Sequence, residues 1–328
     1  DTNVTLVQTS GTVSATKFVG DGSGLINVNP NLSDSLNNIK VGTSALASNT
    51  TGSNNIAIGL SSLYGNNTGE ENIAIGRSAL MFNVGGQKNI AIGPAALEGN
   101  NSSNNNIGIG YETLFFNDSG DDNIAIGNYA LKNNKQTKNV AIGSSALTAN
   151  TSGGINTAVG NNALKANTTG GGNTAIGYDA LSSNTTGFTN IALGQNTLKE
   201  NTTGTGNTAL GYASGQNNTT GGSNTYLGNQ TGTTSGSTIS NATAIGANAT
   251  VTTSNTVQLG DTNVTLVQTS GTVSATKFMG DGSGLTNLSS ASADSNRNLV
   301  VGSSLSNIDT TSITSSSSLD YYFSSDYD

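Results

Sequence analysis

Asn55-Ile56-Ala57-Ile58-Gly59, followed by Leu63 four residues after its glycine, is the segment that decides the fold, because it recurs along the whole chain. The glycines closing successive blocks are Gly42, Gly59, Gly76, Gly93, Gly110, Gly127, Gly143, Gly160, Gly177, Gly194, Gly211, Gly228, Gly246 and Gly260. Most are 17 residues apart, with one spacing of 16, one of 18 and one of 14. A short fixed period of this kind marks a solenoid, in which each coil covers the one before it.

The columns of the repeat keep one physical character from coil to coil. The residue before the glycine is Val, Ile or Leu in all fourteen copies. Two residues further back it is Ile or Val through Val140, then mostly Thr from Thr157 onward. Between them stands a small residue, usually Ala. Large, small, large is period-2 alternation, and β-branched residues favour strand over helix. Each block therefore reads as a short strand. The larger side chains are expected to point into the coil and the alanines outward. The leucine column, Leu46, Leu63, Leu80, Leu97, Leu114, Leu131, Leu147, Leu164, Leu181 and Leu198, refills the core from the opposite wall.

Outward alanines would need a tight neighbour, since an ordinary solvent-facing strand position tolerates Thr, Lys or Glu. Ala57, Ala74, Ala91, Ala125, Ala141, Ala158, Ala175, Ala192 and Ala209 are accordingly the expected interface of a homotrimer. Tyr226 interrupts this column and reads as a widening of the assembly.

An asparagine four residues before the glycine holds in twelve successive copies, from Asn38 to Asn224. The run Asn55, Asn72, Asn89, Asn106, Asn123, Asn139, Asn156, Asn173, Asn190, Asn207 and Asn224 reads as a structural ladder. A stacked asparagine can bond to its own turn and to its copies above and below, satisfying polar atoms that the solenoid buries. The other corner carries Asn-Thr-Thr-Gly or a variant, as at Asn167 to Gly170 and Asn184 to Gly187. This is turn chemistry first. It also creates N-x-[ST] glycosylation sequons, and its exposed threonines leave ice or a glycan as weaker readings.

Composition narrows the function. Of 328 residues only 9% are charged, against roughly 25% in an average soluble domain. There is no His and no Cys, and Lys+Arg 11 against Asp+Glu 19 gives a net charge of −8. Catalysis would have to rest on carboxylates or an activated Ser or Lys, and the neighbouring acids Glu70 and Glu71 or Asp121 and Asp122 fall in variable turns. No enzyme, cofactor or metal site is expected. No basic stripe offers phosphate neutralisation, and no apolar run is long enough to span a bilayer as a helix, so neither nucleic acid nor membrane insertion is expected.

A larger repeat frames the short one. Residues 1 to 25 reappear as residues 261 to 285, with Val19 replaced by Met279 as the one difference. The offset also maps Gly42 onto Gly302, within Asn298-Leu299-Val300-Val301-Gly302. The expected organisation is a β-rich connector over 1–29, a solenoid of about fourteen coils over 30–260, a second connector over 261–289, the start of a second solenoid over 290–314, and a Ser-rich acidic tail over 315–328. The chain then reads as a segment of a longer fibre.

Blocks such as Asn173-Thr174-Ala175-Ile176-Gly177-Tyr178-Asp179-Ala180-Leu181, and the closing Ala242-Thr243-Ala244-Ile245-Gly246-Ala247-Asn248-Ala249, resemble the head repeats of trimeric autotransporter adhesins and the repeats of phage and algal-virus tail fibres. The connector segment Phe18-Val19-Gly20-Asp21-Gly22-Ser23-Gly24-Leu25 is similar to segments common in such fibres. The resemblance covers roughly residues 1 to 305. It implies an all-β fold, a left-handed parallel β-roll wound side by side as a homotrimer, and an extracellular role in attachment on a virion or bacterial surface. The usual adhesin-head period is somewhat shorter than 17. The leading expectation is a tail-fibre segment, with a bacterial surface adhesin or filament subunit as the alternative. Copies joined end to end and a host-surface glycan or protein receptor are the expected partners. Tyr64, Met81, Phe82, Phe115, Phe116, Tyr178, Phe188, Tyr212 and Tyr226 are the irregular positions where such a receptor would bind, unless they pack between subunits.

Overall fold

The computed structural model describes residues 33–274, apart from residue 235. Each block forms a three-residue strand, from Ile39–Val41 through Ile56–Ile58 to Val257–Leu259. The strands stack in chain order into one fourteen-stranded parallel sheet, one strand per coil, and no helix occurs among the described residues. Register is constant: Ile56 pairs with Ile73, Ala57 with Ala74 and Ile58 with Ile75, and so on up the stack. At about 4.8 Å per coil the sheet is ~60 Å long. A second, two-stranded sheet of Gly232–Thr233 and Thr250–Val251 accompanies the last coils.

The alternation along each strand has the opposite phase from the one expected. Ala57, Ala74, Ala91, Ala125, Ala141, Ala158, Ala175, Ala192 and Ala209 are all fully buried within their own coils, whereas Ile58 is 37% exposed. The reason is the depth of the coil. A Cβ placed on Gly108, the one glycine of the alanine column, would lie 3.2 Å from Leu97 Cγ and 3.1 Å from Thr113 Oγ1. The leucine of the neighbouring coil therefore sits directly over the strand centre, and a methyl group is the largest side chain that fits beneath it. These alanines have no surface left to offer a second subunit, so they are not an interface.

The interior thus consists of the strand alanines, the leucine column, and a further column of small residues three after each glycine, including Ser62, Ala79, Ala96, Thr113 and Ala130. The leucines reach it by a backbone route that their residue type does not suggest. Leu63 has φ 48° and Leu80 φ 49°, in the left-handed region. That conformation costs an L-residue roughly 1–2 kcal/mol, and full burial of a leucine returns about 1.5–3 kcal/mol, so burial holds the corner. The strand-closing glycine is obligatory for a different reason. At Gly59 φ is +133° and a Cβ would stand 2.6 Å from the carbonyl oxygen of Gly76.

Tyr226 is also inside its own coil, fully buried, and marks no widening of an assembly. Beyond the last strand, Asp261 accepts hydrogen bonds from the backbone N–H of Asn263 at 2.9 Å and, through its carbonyl, from that of Val264 at 3.2 Å. Residues 261–274 form this turn and no strand, although Val257–Leu259 is the last strand of the sheet and is paired on one side only. The connector of residues 1–29, the second connector beyond residue 274, the solenoid start over 290–314 and the tail over 315–328 lie outside the described residues.

Candidate interaction surfaces

Turning the alanines inward places both flanking columns on the outer face of the sheet. The column before the glycine runs Val41, Ile58, Ile75, Ile92, Ile109, Ile126, Ile142, Val159, Ile176, Leu193, Leu210, Leu227, Ile245 and Leu259 without a polar interruption. Every one is exposed or half-buried. Beside it, Ile56, Ile73, Ile90, Ile107, Ile124 and Val140 make the N-terminal half of the face doubly aliphatic. From Thr157 onward threonine mostly takes that place. A continuous apolar stripe of this length on a single chain exceeds what soluble monomers ordinarily expose.

The asparagines four before each glycine are held inside the coil, where they join adjacent coils. Asn55 Oδ1 accepts both the backbone N–H of Asn72 (3.0 Å) and its Nδ2 (3.1 Å), and Asn72 Nδ2 donates to the carbonyl of Gly86 (2.8 Å). The backbone-to-Oδ1 step repeats from Asn55 on Asn38 to Asn224 on Asn207. All members are buried. None is available to a ligand.

A second ladder stands at the Asn-Thr-Thr-Gly corner, where sequence reasoning saw a turn. Asn83 Nδ2 donates to Asn66 Oδ1 (2.8 Å) and to the same Gly86 carbonyl (2.9 Å) that Asn72 approaches. The pattern runs from Asn66 on Asn49 to Asn218 on Asn201. The signal that could have found it was the spacing of these corner asparagines, which share the 17-residue period of the first ladder.

The sides of the stack carry the irregular residues. Tyr64, Phe82, Phe116, Tyr178, Phe188 and Tyr212 are exposed, Met81 and Phe115 half-buried. Most of them stand singly, but one band gathers aromatic and charged groups. Lys132 Nζ lies 2.6 Å from Glu112 Oε2, 5.3 Å from the centre of the Tyr129 ring and 5.8 Å from that of Phe115. Tyr111 and Tyr129 meet edge to face at 5.4 Å, as do Phe115 and Phe116 at 4.5 Å. Hydrogen bonding to Lys132, then to Tyr111, holds the Glu112 carboxyl below the usual range, and its partner Tyr111 is pushed up by the same bond. Burial raises the Glu98 carboxyl nearby, against the attraction of Arg77.

Beside this band is an open hollow of about 350 Å³ lined by Gly99, Phe116, Asp118, Asn133, Lys135 and Thr151. Among the described residues no group of three or more His, Cys, Asp or Glu side chains could hold a metal ion. No known protein-family model matches the chain, and no curated protein matches its sequence significantly.

Proposed function

We propose that this chain is a structural fibre module for attachment to a host cell or surface, a segment of a viral tail fibre, working as a homotrimer outside the cell. The observation that carries the reading is the aliphatic stripe from Val41 to Leu259 on the outer face of the sheet. Three copies placed around a common axis would bury it against itself, with identical side chains meeting at each level. At about 25 cal/mol per Å² of apolar surface removed from water, a stripe ~60 Å long supplies a large driving force for association. The trimer and the left-handed winding come from the resemblance to adhesin heads and tail fibres; the exposure of the stripe supports the isoleucines, rather than the buried alanines, as the subunit contact. Asparagine ladders and close-packed coils suit a rigid rod, and the low density of charge along its sides suits a repetitive shaft.

Light scattering on the intact chain tests the assembly. A mass near three times 32.8 kDa is expected. Replacing Ile126 and Ile142 by Lys should reduce it to the monomer while the β-type circular dichroism persists. A wild-type monomer, or a doubly substituted chain that stays trimeric, would refute the contact.

A further inference from the structure

The 17-residue period fails once inside the regular part of the stack, between Gly127 and Gly143, where a coil has 16 residues. The missing residue falls in the Asn corner. Elsewhere the corner asparagine donates to the carbonyl three residues ahead, as Asn117 does to Gly120 (2.7 Å); Asn134 instead reaches the carbonyl of Gln136, two residues ahead, at 2.6 Å. The turn is drawn in relative to its neighbours.

The consequence for the neighbouring turns is specific. In regular coils two successive backbone N–H groups of the turn donate to one carbonyl of the next turn, as Val84 and Gly85 do to Asn101 and as Thr151 and Ser152 do to Thr168. Among the described residues these paired bonds stop at Asn101 and resume at Thr151. In the interval the Asp118 N–H turns back to Phe116 O (3.1 Å), and the Ser119 hydroxyl reaches Lys135 O at 3.3 Å. The hollow of about 350 Å³ opens beside this break.

Its wall is held in place from behind. Phe116 is 49% exposed and meets Phe115 edge to face; Phe115 in turn lies under Lys132, which Glu112 pins by its ion pair. Gly99, which lies one coil before Phe116 in the same column, lines the hollow with bare backbone, and a Cβ there would stand 2.7 Å from Phe115 O. Around the ring stand a carboxylate, an amide, an ammonium and a hydroxyl. Asn133 Nδ2 is already engaged with Thr148 O (3.0 Å), so its Oδ1 is the free acceptor. Lys135 forms no ion pair among the described residues.

We infer that this hollow is a saccharide-binding site that takes one neutral pyranose ring against Phe116, with Lys135 donating to its hydroxyls and Asp118, Asn133 and Thr151, whose own hydroxyl proton goes to Thr168 O (3.1 Å), accepting from them. A pyranose has an apolar C–H face that packs on an aromatic ring, and an edge of hydroxyls that both donate and accept. The hollow offers that pair of surfaces, and its one acid and one base balance. A peptide anchor would require a deeper apolar pocket than a half-exposed single ring provides. The inference rests on the attachment reading. A single shallow subsite binds weakly, and three copies on one fibre would raise the avidity without any new contact.

Saturation-transfer NMR on the whole chain, with the methyl β-glycosides of glucose, galactose and N-acetylglucosamine as probes, tests it. At least one probe should receive saturation concentrated on the protons of one ring face. Phe116→Ala should remove the effect, Asp118→Asn and Lys135→Met should each weaken binding about fivefold to tenfold, corresponding to the loss of one good polar contact, and Phe82→Ala, which alters an exposed ring outside the hollow, should change nothing. Saturation of none of the three probes, or an effect that survives Phe116→Ala, would overturn the site. Light scattering on the same samples separates the two proposals. A trimer that binds no sugar rejects the hollow alone, and a monomer that binds rejects the assembly alone.

Discussion

Tyr226 occupies the space that Gly215 leaves empty. Gly215 stands in the leucine column, four residues after Gly211, and a Cβ built there would lie 2.5 Å from Tyr226 Cδ2. Tyr226 in turn stands in the alanine column, and burial pushes its hydroxyl well above the usual phenol range. One large residue has moved from one wall of the coil to the other.

This exchange predicts a compensating pair. Tyr226→Ala should leave a cavity and cost about 3–5 kcal/mol, and Gly215→Leu alone should overpack the same space. Together they restore the pattern of the coils below. Gly215 already has φ +62°, close to the φ of the native leucines, so leucine fits its backbone. Denaturation midpoints of the two single variants should fall well below that of the double variant. Additive losses in the double variant would show that the two positions do not share a space.

A second contrast follows from the phase of the strands. Ala141 and Ile142 are adjacent, one buried and one 38% exposed. Ala141→Val should distort the coil and cost on the order of 1–3 kcal/mol, since Leu131 and its neighbours leave no room for two further carbons. Ile142→Val should cost a few tenths of a kcal/mol within the isolated chain. Thermal melts of the two variants under conditions that keep the chain monomeric decide it, and equal losses would put the strand the other way round.

The period, the strand positions and the corners were all legible in the sequence because each leaves a residue type in a fixed column. The phase was not. Alternation of Ile and Ala states that the two face opposite ways, and the usual ranking of hydrophobicity assigns the larger to the inside. That ranking assumes that the core is filled from the strand, whereas here Leu97 and its equivalents fill it from the opposite wall and leave room for only a methyl group. The left-handed leucines were hidden for a similar reason, since nothing in Leu63 favours φ 48° until its burial is known. Of the aromatic positions singled out, Phe116 acquired neighbours that make a site only through a one-residue deletion nearly twenty residues further on.

The asparagine ladders support a third prediction. Asn72 and Asn83 donate to one carbonyl, Gly86 O, from two different corners of the coil, so the turn is clamped at a single atom. Asn72→Asp removes both bonds that Nδ2 donates and sets a carboxylate against Asn55 Oδ1 and Gly86 O. An unpaired buried charge that also leaves acceptors unsatisfied should cost about 3 kcal/mol or more. Because coils couple mainly to their neighbours, the loss should appear as local opening around coils 55–103 in hydrogen exchange before global unfolding. Protection factors there equal to the wild type would refute the clamp.

The second ladder also decides the fate of the sequons. Asn167, Asn184 and Asn201 begin Asn-Thr-Thr sequences, and sequence reasoning left glycosylation open at these corners. Each is fully buried, with Nδ2 donating at once to the preceding ladder asparagine and to the glycine carbonyl of its own turn, as Asn184 does to Asn167 Oδ1 (2.8 Å) and Gly187 O (2.9 Å). A glycan on that nitrogen would replace one of its two N–H donors, both of which are in use, and could not be accommodated in the coil, so the folded protein should accept none. Transfer to the nascent chain is another matter, since it precedes packing. Produced through a secretory pathway that glycosylates, the chain should therefore be modified before it folds and fail to form the solenoid, whereas bacterial cytosolic production should yield it intact. Thr169→Ala, Thr186→Ala and Thr203→Ala delete these three sequons at exposed positions and leave the asparagines in place. With the remaining sequons treated in the same way, the substituted chain should regain folding in the secretory host. Mass spectrometry and circular dichroism of the two products decide the matter, and a glycosylated chain with the full β-signal would show that these nitrogens are not locked in the ladder.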